Sequence, residues 1–178
     1  MTDEESLLAA IHQDVALHAY DAQWPGIFAV ESERLLALLP GRLIQIQHIG
    51  STAVPGLTAK PIVDLLAGVE SMEFARALGE PLCRSGYTTS AEFNASLTDR
   101  QWFMRWENGH RTHHLHVLVH GGLAWRQRLM FRDLLRSDST LAQQYARFKA
   151  ELAATHTRDR EAYTEAKAGF ILSLVADA

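Results

Sequence analysis

HIGSTAVPGLTAKPIVDLL, residues His48 to Leu66, holds a strand end, a loop of small residues and a second strand that carries an acid. Upstream, Ile44 and Ile46 alternate with polar residues, which predicts a strand over Leu43–His48. Gly50-Ser51-Thr52 follows. A glycine there lets the backbone approach a ligand closely, and successive N–H groups can cradle a phosphate. The plainer alternative is a turn in which Ser51 caps a helix. After Pro55 and Gly56, Lys60-Pro61 leads into IVDLLAGV, a predicted strand over Ile62–Val69 with Asp64 among aliphatic residues. A carboxylate in such a run is costly to bury unless a cation or a hydrogen-bonding partner meets it.

Four further segments stand in the same chain: Trp24-Pro25, RTHHLHV (Arg111–Val117), LMFRDLLR (Leu129–Arg136) and YTEAKAGF (Tyr163–Phe170). With residues 48–66 they make the sequence resemble the GrpB family over nearly its whole length. The resemblance implies a nucleotidyltransferase-like fold. In that superfamily a Gly-Ser pair after the first strand holds the triphosphate, and two carboxylates one residue apart hold divalent metal. Gly50 and Ser51 match the pair. The second acid is missing, because Ile62 and Leu66 share the face of Asp64. Two readings stay open. One is nucleotidyl transfer with a divalent metal (Mg, Mn or Zn), with Asp64 and Lys60 as catalytic residues. The other is a non-catalytic module that binds a nucleotide or phosphometabolite without the paired acids.

RTHHLHV supplies a candidate substitute for the missing acid. Side chains alternate along a strand, so His114, His116, Leu118 and His120 share one face, and His113, Leu115, Val117 and Val119 the other. Two imidazoles spaced by two can reach one ion. With Asp64 they would form a two-histidine, one-carboxylate set, which His48 could join. The alternatives are hydrogen-bonded structural histidines or cationic phosphate ligands. Basic residues then gather toward the C-terminus. Arg128, Arg132 and Arg136 line one helical stripe, usually a solvated face, which suits Arg136; Arg132 is the better ligand candidate. Lys167 lies on the apolar stripe of Tyr163, Phe170, Ile171 and Leu174, so it snorkels or meets an anion. Arg111, Arg132, Lys149, Tyr163 and Lys167, with Gly50, Ser51 and Thr52, are the candidate phosphate ligands. Trp102 and Trp106 share a strand face with Met104 and read as core.

The 178 residues suffice for one domain, 1–178, with residues 1–13 a loose extension. A net charge of −4 argues against broad nucleic-acid binding. Cys83 is the single cysteine, the start MTDEESLLAAIHQD lacks a signal-peptide pattern, and no apolar run approaches membrane length. These features fit a cytoplasmic protein whose partner is a nucleotide or phosphorylated small molecule, without nucleic acid or membrane; they carry no signal for an oligomeric state. A helix is expected to about Gln13, a short strand over Val15–His18, a helix from Pro25 to Leu39, a helix over Ser71–Arg84, strands over Tyr87–Ala91, Gln101–Trp106 and Thr112–His120, and helices after Gly122. The fold class is α+β, a mixed sheet with helices on one side and a helical C-terminal third.

Overall fold

The histidine run forms the longest strand of the sheet because its alternation gives it two different faces. The computed structural model describes residues 2–12, 16–156 and 160–176, without the side chains of residues 3, 7, 11, 12 and 160–165. Among them are strands β1 (Gln45–Ile49), β2 (Val63–Val69), β3 (Tyr87–Thr88), β4 (Gln101–Glu107) and β5 (His110–Val119). Their order is β1-β2-β5-β4-β3. β2 and β5 pair in parallel, and the other pairs are antiparallel. Asn108 and Gly109, at φ 50 and 77, form the two-residue turn between β4 and β5, where both residues must accept positive φ.

One face of the sheet builds the main core. Val63, Leu65, Ala67 and Val69 of β2, Leu115 and Val117 of β5 and Phe103 of β4 pack against helices α2 (Trp24–Leu38), α3 (Met72–Ala77) and α4 (Gly79–Arg84). Leu65 and Leu35 are fully buried, each contributing about 1.5–3 kcal/mol through lost apolar exposure. The fold is α+β around a mixed sheet, the class the sequence implies.

The opposite face is covered only in part. Helix α6 (Leu123–Ser137) lays Trp125 and Leu129 over Ile49, Leu66 and Leu118. It then joins α7 (Ser139–Thr155) and α8 (Arg160–Val175) in a second cluster, where Phe131, Leu135, Tyr145 and Val175 meet Val54 and Leu57 of the loop after β1. The C-terminal third is therefore docked onto the loop that starts at Gly50. Asp138 caps α7, accepting from the N–H groups of Thr140 and Leu141 at 2.9 Å each.

Three expected elements differ. The helix over Ser71–Arg84 is two short helices meeting at Leu78, because Gly79 favours a break and Pro81 cannot donate to the preceding turn. The strand over Tyr87–Ala91 stops at Thr88. Ser90 accepts from the Phe93 N–H at 3.1 Å and starts helix α5 (Ala91–Ser96) instead. Of the strand over Val15–His18 the structure shows one bridge, His18 to Ala59; Val15 lies outside the described residues. The N-terminal segment forms α1 (Asp3–His12), and its Ser6 shares a 2.6 Å hydrogen bond with Thr88. No described helix is long and apolar enough to cross a membrane.

Candidate functional site

The parallel register of β2 and β5 sets Asp64 beside His114 and Leu66 beside His116. On the partly covered face this brings one carboxylate and two imidazoles together. Their candidate ligand atoms all lie within 4.8 Å of one another. Asp64 Oδ1 is 3.2 Å from His114 Nδ1 and 3.5 Å from His116 Nε2, and the Asp64 side chain is 24% exposed.

Proton placement follows from the donors around the cluster. The Arg111 guanidinium can only donate, and its Nη1 lies 3.3 Å from His114 Nε2. His114 Nε2 therefore accepts, and Nδ1 carries the proton donated to Asp64. Burial alone would raise the Asp64 carboxyl. Hydrogen bonds and charge from His114 and His116 outweigh that and hold it well below the ordinary carboxylate range. Burial also pushes His116 down to about 4 against the pull of Asp64, so its imidazole is neutral near pH 7. Its effect on Asp64 is thus mainly a hydrogen bond, not an ion pair. His116 Nδ1 is buried without a hydrogen-bond partner among the described residues.

Gly50 explains how the loop closes over this cluster. Its φ of 73° and ψ of −174° fall in a region that only glycine adopts readily. A Cβ built there would stand 2.4 Å from Asp64 Oδ2. The loop backbone thus lies directly on the carboxylate. Ser51 begins a short 3₁₀ turn, Ser51–Ala53, and its Oγ accepts from Lys149 Nζ at 2.9 Å. Lys149 also donates to the Thr58 carbonyl and sits 5.0 Å from the centre of the Tyr145 ring. These partners are neutral, and Lys149 is 2% exposed. Burial, with the nearby charge of Lys167, lowers the Lys149 ammonium to about 7. An ammonium held this way, next to a loop hydroxyl and a second lysine, is suited to receive an anion.

The other candidates fall into place around this centre or away from it. Lys167 is half-buried on α8, close enough for its charge to reach Lys149. Lys60 is half-buried on the loop leading into β2. The Tyr163 side chain lies outside the described residues. His48 does not join the Asp64 cluster. Register pairs it with Leu65, on the core face, where its ring stacks on Phe28 at 4.8 Å and Nε2 meets Thr52 Oγ1 at 3.0 Å. Burial holds His48 down to about 4. Thr52, 1% exposed, is likewise turned to that contact and away from the cleft. Arg132 clamps β1, donating to Gln47 Oε1 at 2.8 Å and to the His48 carbonyl at 3.0 Å. Arg136 is also engaged, donating from Nε to the Ala53 carbonyl at 2.8 Å. The arginine stripe thus braces the loop and is not simply solvated. Arg128 ties α6 to Asp99 at 3.7 Å, and its charge reaches His116.

Trp102 is the residue whose position composition did not reveal. It is half-buried on the cleft face, paired in register with His116 and 5.4 Å from the His114 ring. The sequence carried part of the signal: an antiparallel partner for the histidine strand puts alternate β4 residues beside the imidazoles, and the register shift at Arg105–Trp106 decides which ones. A cavity of about 380 Å³, lined by Arg76, Thr89, Asn94, Gln101 and Phe103 among others, opens elsewhere. It holds neither acid nor histidine, so the chemistry places the candidate site at Asp64.

Comparison with known proteins fits this fold. The family model described as GrpB protein matches residues 14–177, and the chain belongs to the GrpB family. The crystal structure of conserved protein GrpB from Enterococcus faecalis is 31% identical, covers 91% of this chain and 96% of that one, and superposes with a TM-score of 0.79. UPF0157 protein YqkA of Bacillus subtilis is 36% identical over 165 residues, 90% of this chain; the chain spans about half of its length, 47%. A weaker likeness, 27% over 169 residues, joins 83% of the chain to 42% of a dephospho-CoA kinase of Mycolicibacterium paratuberculosis.

Proposed function

We propose that the protein binds a nucleotide or another phosphorylated small molecule in the cleft beside the Gly50–Ser51 loop, over the Asp64–His114–His116 cluster, with a divalent metal ion on those three side chains. The observation that carries this reading is the juxtaposition itself. Asp64 lies directly under Gly50, and Ser51 is held by a buried lysine without a described acidic partner. Two imidazoles and one carboxylate suit Mn or Zn better than Mg, which prefers oxygen ligands. Coordination through His114 Nδ1 would move its proton to Nε2 and displace Arg111, freeing that guanidinium for a phosphate. The likeness to a protein named dephospho-CoA kinase adds support for a nucleotide-type ligand.

Nucleotidyl transfer is the reaction this arrangement would serve. A bound metal would polarise a phosphate oxygen. Lys149 and Lys167 would offset developing negative charge, and Ser51 would orient the phosphate through its hydroxyl. Binding without transfer is a second reading with its own support. Ile62 and Leu66 occupy the positions beside Asp64 on its face, so no second carboxylate stands there to help clamp both oxygens of an in-line displacement.

Calorimetric titration with ATP, pyrophosphate and inorganic phosphate, with and without Mn²⁺, tests the common part of both readings. Binding that Lys149→Met weakens about tenfold or more is expected, since a hydrogen bond to a charged group is worth about 1.5–3 kcal/mol. No binding by the wild-type protein, or equal affinity in the variant, would overturn the proposal.

A further inference from the structure

Cleft residues lie in two adjacent rows across the strands of one sheet face. Ile49, at the start of the Gly50 loop, pairs with Asp64, Asp64 with His114 and His114 with Met104; Trp102 stands in the next row, paired with His116, which pairs with Leu66. Strands are spaced by about 4.8 Å, so each row spans roughly 14 Å from β1 to β4. An anion site stands at one end, an acid-and-imidazole cluster in the middle and an indole at the other end.

We infer that Trp102 is the stacking platform for the base of a nucleoside phosphate, so that the ligand lies across the sheet with its phosphates at Ser51 and its base on β4. This rests on the phosphate-binding reading above and deepens it by naming the ligand class. Trp102 is half-buried at the cleft, and its side chain is flanked by aromatic rings: Phe93 meets it edge-on at 5.4 Å, and His114 lies at the same centroid distance on the cluster side. The backbone beneath it is held independently of the ring. Asn94, 6% exposed, accepts from the Trp102 N–H through Oδ1 at 2.8 Å and donates from Nδ2 to the Trp102 carbonyl at 3.1 Å. Thr89 Oγ1 donates to the same carbonyl at 2.5 Å. An indole fixed at its base, with part of its surface on a polar cleft, offers a planar apolar surface that a phosphorylated acid does not use. A purine or pyrimidine uses it fully.

The test compares ATP with inorganic triphosphate on three proteins: wild type, Trp102→Leu and Trp102→Phe. Wild type should bind ATP more tightly than triphosphate, and ATP should quench tryptophan fluorescence while triphosphate does not. Trp102→Leu should weaken ATP about ten- to hundredfold and leave triphosphate unchanged, and Trp102→Phe should recover most of the loss. Triphosphate affinity also reports that the cleft of each variant is intact. Equal wild-type affinity for the two ligands, or ATP affinity indifferent to Trp102→Leu, would overturn the platform while leaving the phosphate site standing. Loss of both ligands in Trp102→Leu and Trp102→Phe alike would overturn it too, by making Trp102 a support of the whole cleft. Failure of wild type to bind either ligand would overturn the platform together with the phosphate-binding reading.

Discussion

Glu31 and Asp64 are carboxylates on opposite faces of one sheet, and they are treated differently. Glu31, 2% exposed, receives the Tyr87 hydroxyl at 2.7 Å, two donors from Arg34 at 2.7 and 2.9 Å, and a further donor from Arg105. Burial alone would raise its carboxyl, but the hydrogen bonds of Arg34 and Tyr87 and the two arginine charges hold it below its ordinary value. Burial beside Glu31 in turn raises the Tyr87 phenol. Both oxygens are used, and the network ties α2 to β3 and β4. Asp64 has two histidines, one with a buried nitrogen that has no hydrogen-bond partner among the described residues, and keeps a quarter of its side chain accessible under a glycine loop. One acid is fully compensated and structural. The other is held ionised with part of its surface accessible.

The largest effect should come from breaking the compensated site. Glu31→Ala leaves two arginines and a phenol without their shared acceptor, and should destabilise the protein by about 3–5 kcal/mol in chemical denaturation. Nucleotide affinity of the surviving folded protein should be unchanged. A loss below ~1 kcal/mol would erase the contrast with Asp64.

Gly50→Ala comes next. The alanine would be strained at φ 73° and its methyl would meet the Asp64 carboxylate, whose short side chain has little room to yield. Backbone strain of this kind costs about 1–3 kcal/mol. Metal and phosphate binding should both fall sharply, because the same clash separates the loop from the cluster. A variant with wild-type melting temperature and affinity would contradict the account of the loop.

A smaller effect concerns pH. Lys149 ionises at about 7 in the folded protein against an ordinary 10.5. Between those values the unfolded chain binds more protons, so this residue adds stability as pH rises from 7 toward 10.5 and its full penalty is present below 7. A phosphate prefers the ammonium, so its affinity should fall as pH rises above 7, by at most about tenfold per unit. Titrations from pH 7 to 9 should show that slope in wild type and lose it in Lys149→Met. An equal slope in both proteins would assign the pH dependence elsewhere.

Much of the centre was legible because it depends on alternation. The period of two in IVDLLAGV and RTHHLHV places Asp64 on one strand face and His114 and His116 on another, and the parallel pairing of β2 and β5 joins those faces. The same period puts His48 on the face of Ile46, but the expected strand ended at His48, whereas β1 runs one residue further and Ile49 takes the position beside Asp64. Lys149 and Ser51 are 98 residues apart, so their contact depends on how α7 docks and on no local pattern. The arginine stripe shows the same limit. Its spacing predicts a shared helix face, but only the packing of α6 over β1 turns Arg132 and Arg136 toward backbone carbonyls. Trp102 reads as core in the sequence because it shares a strand face with Met104. Its pairing with His116 depends on the register shift at Arg105–Trp106, which moves the pairing by one residue from that set by the Asn108-Gly109 turn and puts Trp102 at the cleft.

The most direct test of the central claim is Mn²⁺ binding, followed by electron paramagnetic resonance, in wild type and Asp64→Asn. The account predicts one tight Mn²⁺ per wild-type chain, with nitrogen hyperfine coupling from the imidazoles. Asp64→Asn should weaken that ion about a hundredfold in a protein that still unfolds in one cooperative transition. No stoichiometric Mn²⁺ in wild type, or an identical spectrum and affinity in Asp64→Asn, would contradict the assignment of Asp64, His114 and His116 as a metal site.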